Sequence, residues 1–216
     1  LFVNVAKGRL RGNSQPPSVL AGAVDLYFSK SKWHLYLGEY DSRLSLITNI
    51  ANTEVSAGVY FMTGNDLGPP PGLNAKIVNE LGIKQDQLNR DRAEYDANIK
   101  SGSGFALGAN LNLVYDYNGR RLKIRVTAGA GFEFCLLKLE SDIACKNGLS
   151  PIGANGWRAN GLIYLYANVS VKYWGISANP GLALMVKGET PNPNYFQAYV
   201  RVLSMKINFD IGEPCF

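Results

Sequence analysis

The chain has one histidine, His34, three cysteines and a scatter of carboxylates, and these bound the chemistry open to it. The usual imidazole-rich zinc sites draw on more than one histidine, and a Ser-His-Asp arrangement would have to centre on His34. His34 alternates with Trp33 and Leu35, a pattern that puts it on a rim or exposed strand face rather than in a polar convergence. Asp41, Asp66, Asp116 and Glu133 have no mutual spacing that marks a general acid/base pair, and turns and strand edges account for them. The glycine-rich stretches GSGFALG (102–108) and AGAGF (128–132) lie within strand patterns and open no helix, so neither reads as a phosphate cradle. The expectation is a non-enzymatic protein with no catalytic residue, metal ligand or cofactor.

Cys135 falls inside a strand pattern, where a thiol acts as a small apolar filler. Cys145 and Cys215 sit in the irregular stretches IACKNG and IGEPC, where two backbones can approach as a disulfide requires. Joined in an oxidising compartment, they would close a loop of about 70 residues and stabilise by about 4 kcal/mol on the chain-entropy account. The alternative is three reduced, buried thiols. A binding surface is read from aromatic residues: in GLIYLYANVSVKYW (161–174), Tyr164 and Tyr166 share the polar side of an alternating strand, close to a loop that carries Trp157. Amphipathic rings suit protein or carbohydrate surfaces, although tyrosine is also a good strand former.

The elements that must position these residues are strands. Charged residues make up 18% of the 216, below the roughly 25% usual for soluble chains, while 23 Gly and 12 Tyr favour strands and turns. The net charge of +5 is dispersed, with small clusters at Arg9/Arg11, Arg120/Arg121 and Lys123/Arg125, which argues against nucleic acid as a partner. No apolar run approaches the length of a transmembrane helix, and LFVNVAKGRL already alternates as a strand, so a fragment of a longer chain is expected.

Alternation recurs over 20–28, 33–37, 44–50, 55–62, 105–117, 122–137, 161–173, 176–187 and 195–211. With the opening segment this predicts about ten strands in a single β-rich domain over 1–216. Asn118-Gly119 reads as the type I′ turn of a long hairpin. Near Val202 the apolar phase slips by one residue, which reads as a bulge or sharp bend. After NDLGPPPG, the stretch 73–100 reads as a helical insertion lying on the sheet or capping it, with Leu81, Leu88, Tyr95 and Ile99 as its apolar stripe. A Gly/Asn-rich connection runs from 138 to 161, long enough to be functional or anchored.

Such strands could enclose a protein core or face a bilayer. Barrel strands need about 9–11 alternating residues and aromatic girdles at their ends. Tyr115, Tyr117, Tyr173 and Trp174 fit a girdle. Three features weigh against lipid: irregular connections with a charged insertion, the phase slip at Val202, and strands at 33–37 and 44–50 too short to cross. The expected fold is therefore all-β, with long antiparallel strands in a sandwich or flattened barrel. Its apolar sides at 122–136 and 161–173 should meet in a dry interior.

The succession KWHLYLGEYDSRLSL, VYFMTGNDLGPPPG, GSGFALGANL, AGAGFEFCLLKL, IGANGWRANGLIYLYANVSV, LALMVKGETPNPNYFQAYV and INFDIGEPC, covering roughly 32–216, resembles the C-terminal β-rich region of very large secreted or cell-surface proteins of Bacteroidota, some carrying a TANFOR domain. NGW (155–157), PNP (191–193) and IGEPC are its most distinctive parts. The resemblance departs at Glu39-Tyr40, which replace a small polar residue or proline after an LG motif. It implies export across the cell envelope, a place in a long multidomain chain, and cysteine positions matching Cys145 and Cys215; it supplies no catalytic residues. The function expected is a structural or interaction module of an exported surface protein, whose partners are other domains of the parent chain or other surface proteins. Its binding side would be Trp157, Tyr164 and Tyr166. The alternatives are a carrier of an apolar ligand or lipid between long sheets, suggested by Ala109, Ala128 and Ala130 at inward positions, and an outer-membrane β-barrel.

Overall fold

The computed structural model describes residues 2–3, 8–10, 18–68, 70, 73, 75–83, 102–139, 152–191 and 194–213, with side chains from residue 19 onward. Its strands are β1 (Phe2–Val3), β2 (Gly8–Leu10), β3 (Ser18–Ala21), β4 (Val24–Phe28), β5 (Trp33–Leu37), β6 (Leu44–Ile50), β7 (Thr53–Leu67), β8 (Gly102–Asn118), β9 (Leu122–Leu139), β10 (Trp157–Tyr173), β11 (Ile176–Ala178), β12 (Gly181–Thr190), β13 (Tyr195–Val202) and β14 (Met205–Ile211). A helix, α1 (Ala75–Leu81), lies between β7 and β8. All fourteen strands belong to one antiparallel sheet, ordered β1-β4-β5-β7-β8-β9-β10-β12-β13-β14 along its main path, and it does not close into a barrel. The all-β class with long antiparallel strands and one helical insertion is what the sequence led us to expect.

The short strands are pieces of longer rows. β5 pairs with the Phe61–Gly64 part of β7, and β6 with its Thr53–Val59 part, so the two continue one another along the same edge. β3 and β4 succeed each other along β6 and β5, β1 and β2 along β4 and β3, and β11 and β12 along β10. Joining these four pairs end to end leaves ten rows in an up-and-down meander, each beside its neighbour in sequence. The segments 33–37 and 44–50 are thus halves of one broken strand; neither is a short strand in its own right.

The apparent phase slip at Val202 has a simpler cause than a bulge. β13 ends at Val202, β14 begins at Met205, and the two pair from Val202↔Met205 to Phe196↔Ile211. The chain reverses through Leu203 and Ser204, with Leu203 at a φ of 57°. A two-residue reversal moves the apolar set from even to odd numbers while leaving it on the same face. In the 105–136 hairpin the turn sits further along than expected. Gly119 donates its N–H to Leu122 O at 2.8 Å, so Arg120 and Arg121 form the tip, and neither Asn118 nor Gly119 has positive φ.

The connections divide by end. Ala51-Asn52, Arg120-Arg121, Trp174-Gly175 and Leu203-Ser204 are tight reversals at one end of the rows. At the other end run the 68–101 insertion and the 140–156 connection, together with two short links, 191–194 and the tight 29–32 hairpin, in which Ser29 N–H reaches Lys32 O at 2.7 Å. The remaining link at the tight end, 11–17, lies outside the described residues.

α1 ends in a C-terminal cap that the sequence dictates. Gly82 takes a φ of 73°, its N–H reaches Asn79 O at 3.0 Å, and Ile83 N–H reaches Val78 O at 3.1 Å, the paired bonds of a Schellman cap. Ile77, Val78 and Leu81 are buried, and Ile77 and Leu81 pack on Tyr164, Tyr166, Ala183, Met185 and Tyr199 of the sheet. The insertion therefore lies on one face of the sheet. Leu88, Tyr95 and Ile99 fall outside the described residues.

Candidate functional site

Directly opposed residues in an antiparallel ladder share a face, so the registers sort every side chain. Ile163 stands opposite Phe132 and Val186, Leu165 opposite Ala130 and Leu184, and Val169 opposite Val126. The same face continues through Phe105, Leu107, Leu111 and Leu113 of β8, Val59 and Phe61 of β7, and Ile207, Phe209 and Ile211 of β14. Nothing described covers it: Ile163 is 58% exposed, and Phe61, Leu111, Phe132, Leu182 and Phe209 are exposed with it. Among the described residues its strands project no Asp, Glu or Arg onto this face, and one Lys, Lys138, at the very end of β9. Among the described residues, the dry interior expected beneath 122–136 and 161–173 is not formed, and Ala109, Ala128 and Ala130 lie on this open face rather than between two described sheets.

The opposite face carries α1 and the charges. Arg43 Nη2 donates to Glu133 Oε1 at 2.5 Å and its Nη1 to Asn110 Oδ1 at 3.0 Å, while its guanidinium lies 5.0 Å from the centroid of the Tyr60 ring. Arg158 pairs with Glu189, which Lys187 also reaches at 3.1 Å. His34 sits half-buried near the β4–β5 edge, with Nε2 3.1 Å from Asp25 Oδ2 and its ring stacked on Tyr36 at 4.2 Å. His34–Asp25 and Arg158–Glu189 tie neighbouring rows together, and Arg43 reaches across β7 and β8 to β9; no group of three or more His, Cys, Asp or Glu suited to a metal occurs among the described residues.

α1 is held by polar contacts from four rows. Glu80 Oε2 accepts from Thr127 Oγ1 of β9 at 2.8 Å and from Asn168 Nδ2 of β10 at 2.6 Å. Arg201 Nη2 of β13 donates to Glu80 O at 2.7 Å, and Lys206 Nζ of β14 donates to Gly82 O at 2.7 Å. The last carbonyls of a helix are its negative pole, so these two cations also suit the helix dipole.

Tyr164 and Tyr166 are under this helix, 1% and 4% exposed, so the expected polar binding face is instead a covered one. The reason lies one strand away. Tyr164 opposes Gly131, Tyr166 opposes Gly129 and Tyr60 opposes Gly108, and each ring lies across the bare Cα of its partner. A Cβ at Gly131 would come within 2.5 Å of the Tyr164 hydroxyl. The alternating glycines of AGAGF are seats for tyrosine rings, a pairing between strands that one strand's pattern does not reveal. Trp157, 39% exposed, begins β10 on the open face, at the end away from Trp174. It is not gathered with the two tyrosines into one surface. Cys135 is a free, buried thiol packed in the sheet, with Tyr40 Oη 3.9 Å from its sulfur. Cys145 and Cys215 lie outside the described residues.

The chain matches no family model, no curated protein and no solved structure.

Proposed function

We propose that this chain is a non-enzymatic, exported β-sheet of the outer-membrane barrel type. Its open face lies against acyl chains, and its charged face lines an interior filled in part by α1. The observation that carries this reading is the sorting of side chains: apart from Lys138 at the end of β9, described charges in the sheet lie on the helix-bearing face, and the opposite face is apolar from row to row. Transmembrane barrels alternate in this way, lipid-facing and lumen-facing. An exposed apolar face of this breadth far exceeds the patches of ordinary soluble monomers.

Dimensions agree. From Phe105 to Tyr117 the open face of β8 runs about 40 Å along the strand at roughly 3.4 Å per residue. At a tilt of about 40° that is a height of about 30 Å, against an apolar band of about 25 Å. Aromatic residues sit at both ends of the rows: Tyr117, Tyr173 and Trp174 beside the tight turns, Phe28, Trp33 and Trp157 at the other. The described reversals at one end are all tight, and the two long connections, 68–101 and 140–156, are both at the other, an asymmetry in the direction of such barrels. The phase slip and the short strands no longer weigh against lipid, since one is a hairpin and the others are halves of a row. No helix in the described residues is long and apolar enough to cross a membrane, which says nothing about crossing by strands. In a closed barrel the outer rows, β1/β2 and β14, would carry the closure. Export, implied by the resemblance to Bacteroidota surface proteins, belongs to the same proposal.

The test is reconstitution into vesicles whose lipids bear bromine at known depths. All three tryptophans lie at row ends, so bromines near the headgroups should quench their fluorescence more than bromines near the bilayer centre. A chain that stays monodisperse in detergent-free buffer and is quenched at no depth would overturn the reading in favour of a sheet covered by another protein surface.

A further inference from the structure

At the tight-turn end, two neighbouring hairpins border an open groove of about 530 Å³ lined by Arg120, Arg121, Lys123, Lys172, Trp174 and Ser177, among others, all of them exposed. Four of these residues are cationic, and no carboxylate lines the space. Lys123 and Lys172 are directly opposed in the β9–β10 ladder, so two ammonium stems leave the sheet side by side. Like charges placed directly opposite one another destabilise a sheet, and folding alone gives no reason for the pair. Among the described residues, none of the four cations has an ion-pair partner. The neighbouring Arg125 is answered by Asp116, 3.3 Å away, and Asp116 is the carboxylate of the adjoining row. The Arg121 guanidinium is steadied over the Trp174 ring, 5.2 Å from its centroid.

We propose that this groove is a binding site for a phosphate group. Arginine offers paired donors to phosphate oxygens, and lysine adds point charge. Four cations converging without a carboxylate suit an anion carrying more than one oxygen, and the ladder repulsion between Lys123 and Lys172 is relieved when that anion sits between them. Trp174 and Ile176 extend the wall toward the open face, so the phosphate can belong to a lipid headgroup as well as to a small free anion. The groove and its charges do not depend on the membrane reading, and the site can be assayed in buffer or in uncharged micelles alike.

Trp174 supplies the probe, with Trp174→Phe as the blank that isolates its signal. At low ionic strength, where exposed charges are least screened, inorganic phosphate and a short-chain phosphatidylglycerol are each titrated against the protein, with the matching phosphatidylcholine as an uncharged control. The expected result is saturable change with the phosphatidylglycerol, weakened at least about tenfold in Lys123→Gln/Lys172→Gln. Response to inorganic phosphate as well assigns recognition to the phosphate alone; response to the lipid only assigns it to the headgroup with its chains. A second variant separates binding from folding. Lys172→Glu turns the opposed pair into Lys–Glu, so it should raise the unfolding midpoint while abolishing the titration. No saturable change with either anion, equal response to the phosphatidylcholine, or unchanged affinity in Lys123→Gln/Lys172→Gln overturns the proposal.

Discussion

At the scale of single residues, glycine is the position on which the helix-bearing face turns. Gly131 and Gly129 accept the rings of Tyr164 and Tyr166, and a methyl at either would enter ring or side-chain atoms held under α1. Gly161 faces the open side, and a Cβ there would meet nothing within 4 Å. Gly131→Ala should therefore destabilise by about 1–3 kcal/mol, the usual cost of overpacking, whereas Gly161→Ala should be neutral or slightly stabilising through the unfolded chain. Denaturant unfolding of the two variants under identical conditions measures the difference, and equal effects would mean that the rings are not seated on their glycines. Strand alternation placed Tyr164 and Tyr166 on one face and the Gly129/Gly131 pair on one face, and the sequence therefore reveals these sets. Which face would be covered it does not reveal, because the decision is made by the neighbouring strand and by an insertion of about 35 residues upstream in the meander. Tyr in a strand looks the same whether it meets water or a glycine.

At the scale of elements, two features carry separable consequences. α1 is short, and helices of this length are marginal alone in water, so its place depends on contacts with the sheet. Glu80→Ala removes the acceptor shared by Thr127 and Asn168 and should cost about 1–3 kcal/mol for donors left beneath the helix. Hydrogen exchange resolved by segment should show the loss concentrated in 75–83, with β8 and β9 unaffected; uniform loss over the whole sheet would contradict a locally docked element. The β13–β14 turn holds Leu203 at positive φ, where a side chain is strained by roughly 1–2 kcal/mol. Leu203→Gly should relieve part of that strain and raise the unfolding midpoint, although glycine also frees the unfolded chain, so the net gain expected is about 0.5–1 kcal/mol. This turn also explains why the sequence misled at Val202. The pair Leu203-Ser204 lacks the Asn-Gly or Asp-Gly signature by which tight hairpins are recognised, and an apolar residue at the tip makes two strands read as one with a slipped phase. The helical insertion was legible as a whole, but its reading over 73–100 ran through Gly82, where α1 stops, because a lone glycine inside a helical pattern reads as tolerated while its left-handed φ is seen only in the structure.

At the scale of the whole molecule, the alternation of every row is consistent with two opposite assignments, and the choice between them rests on what lies beyond the sheet. A sandwich would hide the apolar face against a second sheet; a bilayer would hide it in hydrocarbon. Both demand the same period of two, which is why the strands at 105–117, 122–137 and 161–173 could be read correctly while their surroundings could not. The charges separate the cases. A sandwich's polar face is solvated and needs no cross-row ion pairs, whereas here Arg43–Glu133 and Arg158–Glu189 join residues within the helix-bearing face, with side chains between 2% and 16% exposed. A single substitution turns this into a measurement of sign. Ile163 lies near the middle of β10 on the open face, opposite Phe132 and Val186. If the face meets acyl chains, Ile163→Arg should destabilise the chain folded in vesicles by about 2–4 kcal/mol, the penalty of a cation near the bilayer midplane, and Trp157→Arg at the row end should cost about 1 kcal/mol or less. If the face meets water, Ile163→Arg removes exposed apolar surface, leaves stability unchanged within about 0.5 kcal/mol, and improves dispersal in plain buffer. Urea titration of both variants in vesicles, against the same variants without lipid, distinguishes these outcomes by the ratio of the two costs. A graded penalty, larger at position 163 than at 157, follows from a depth-dependent medium and has no counterpart in a protein surface bathed in solvent.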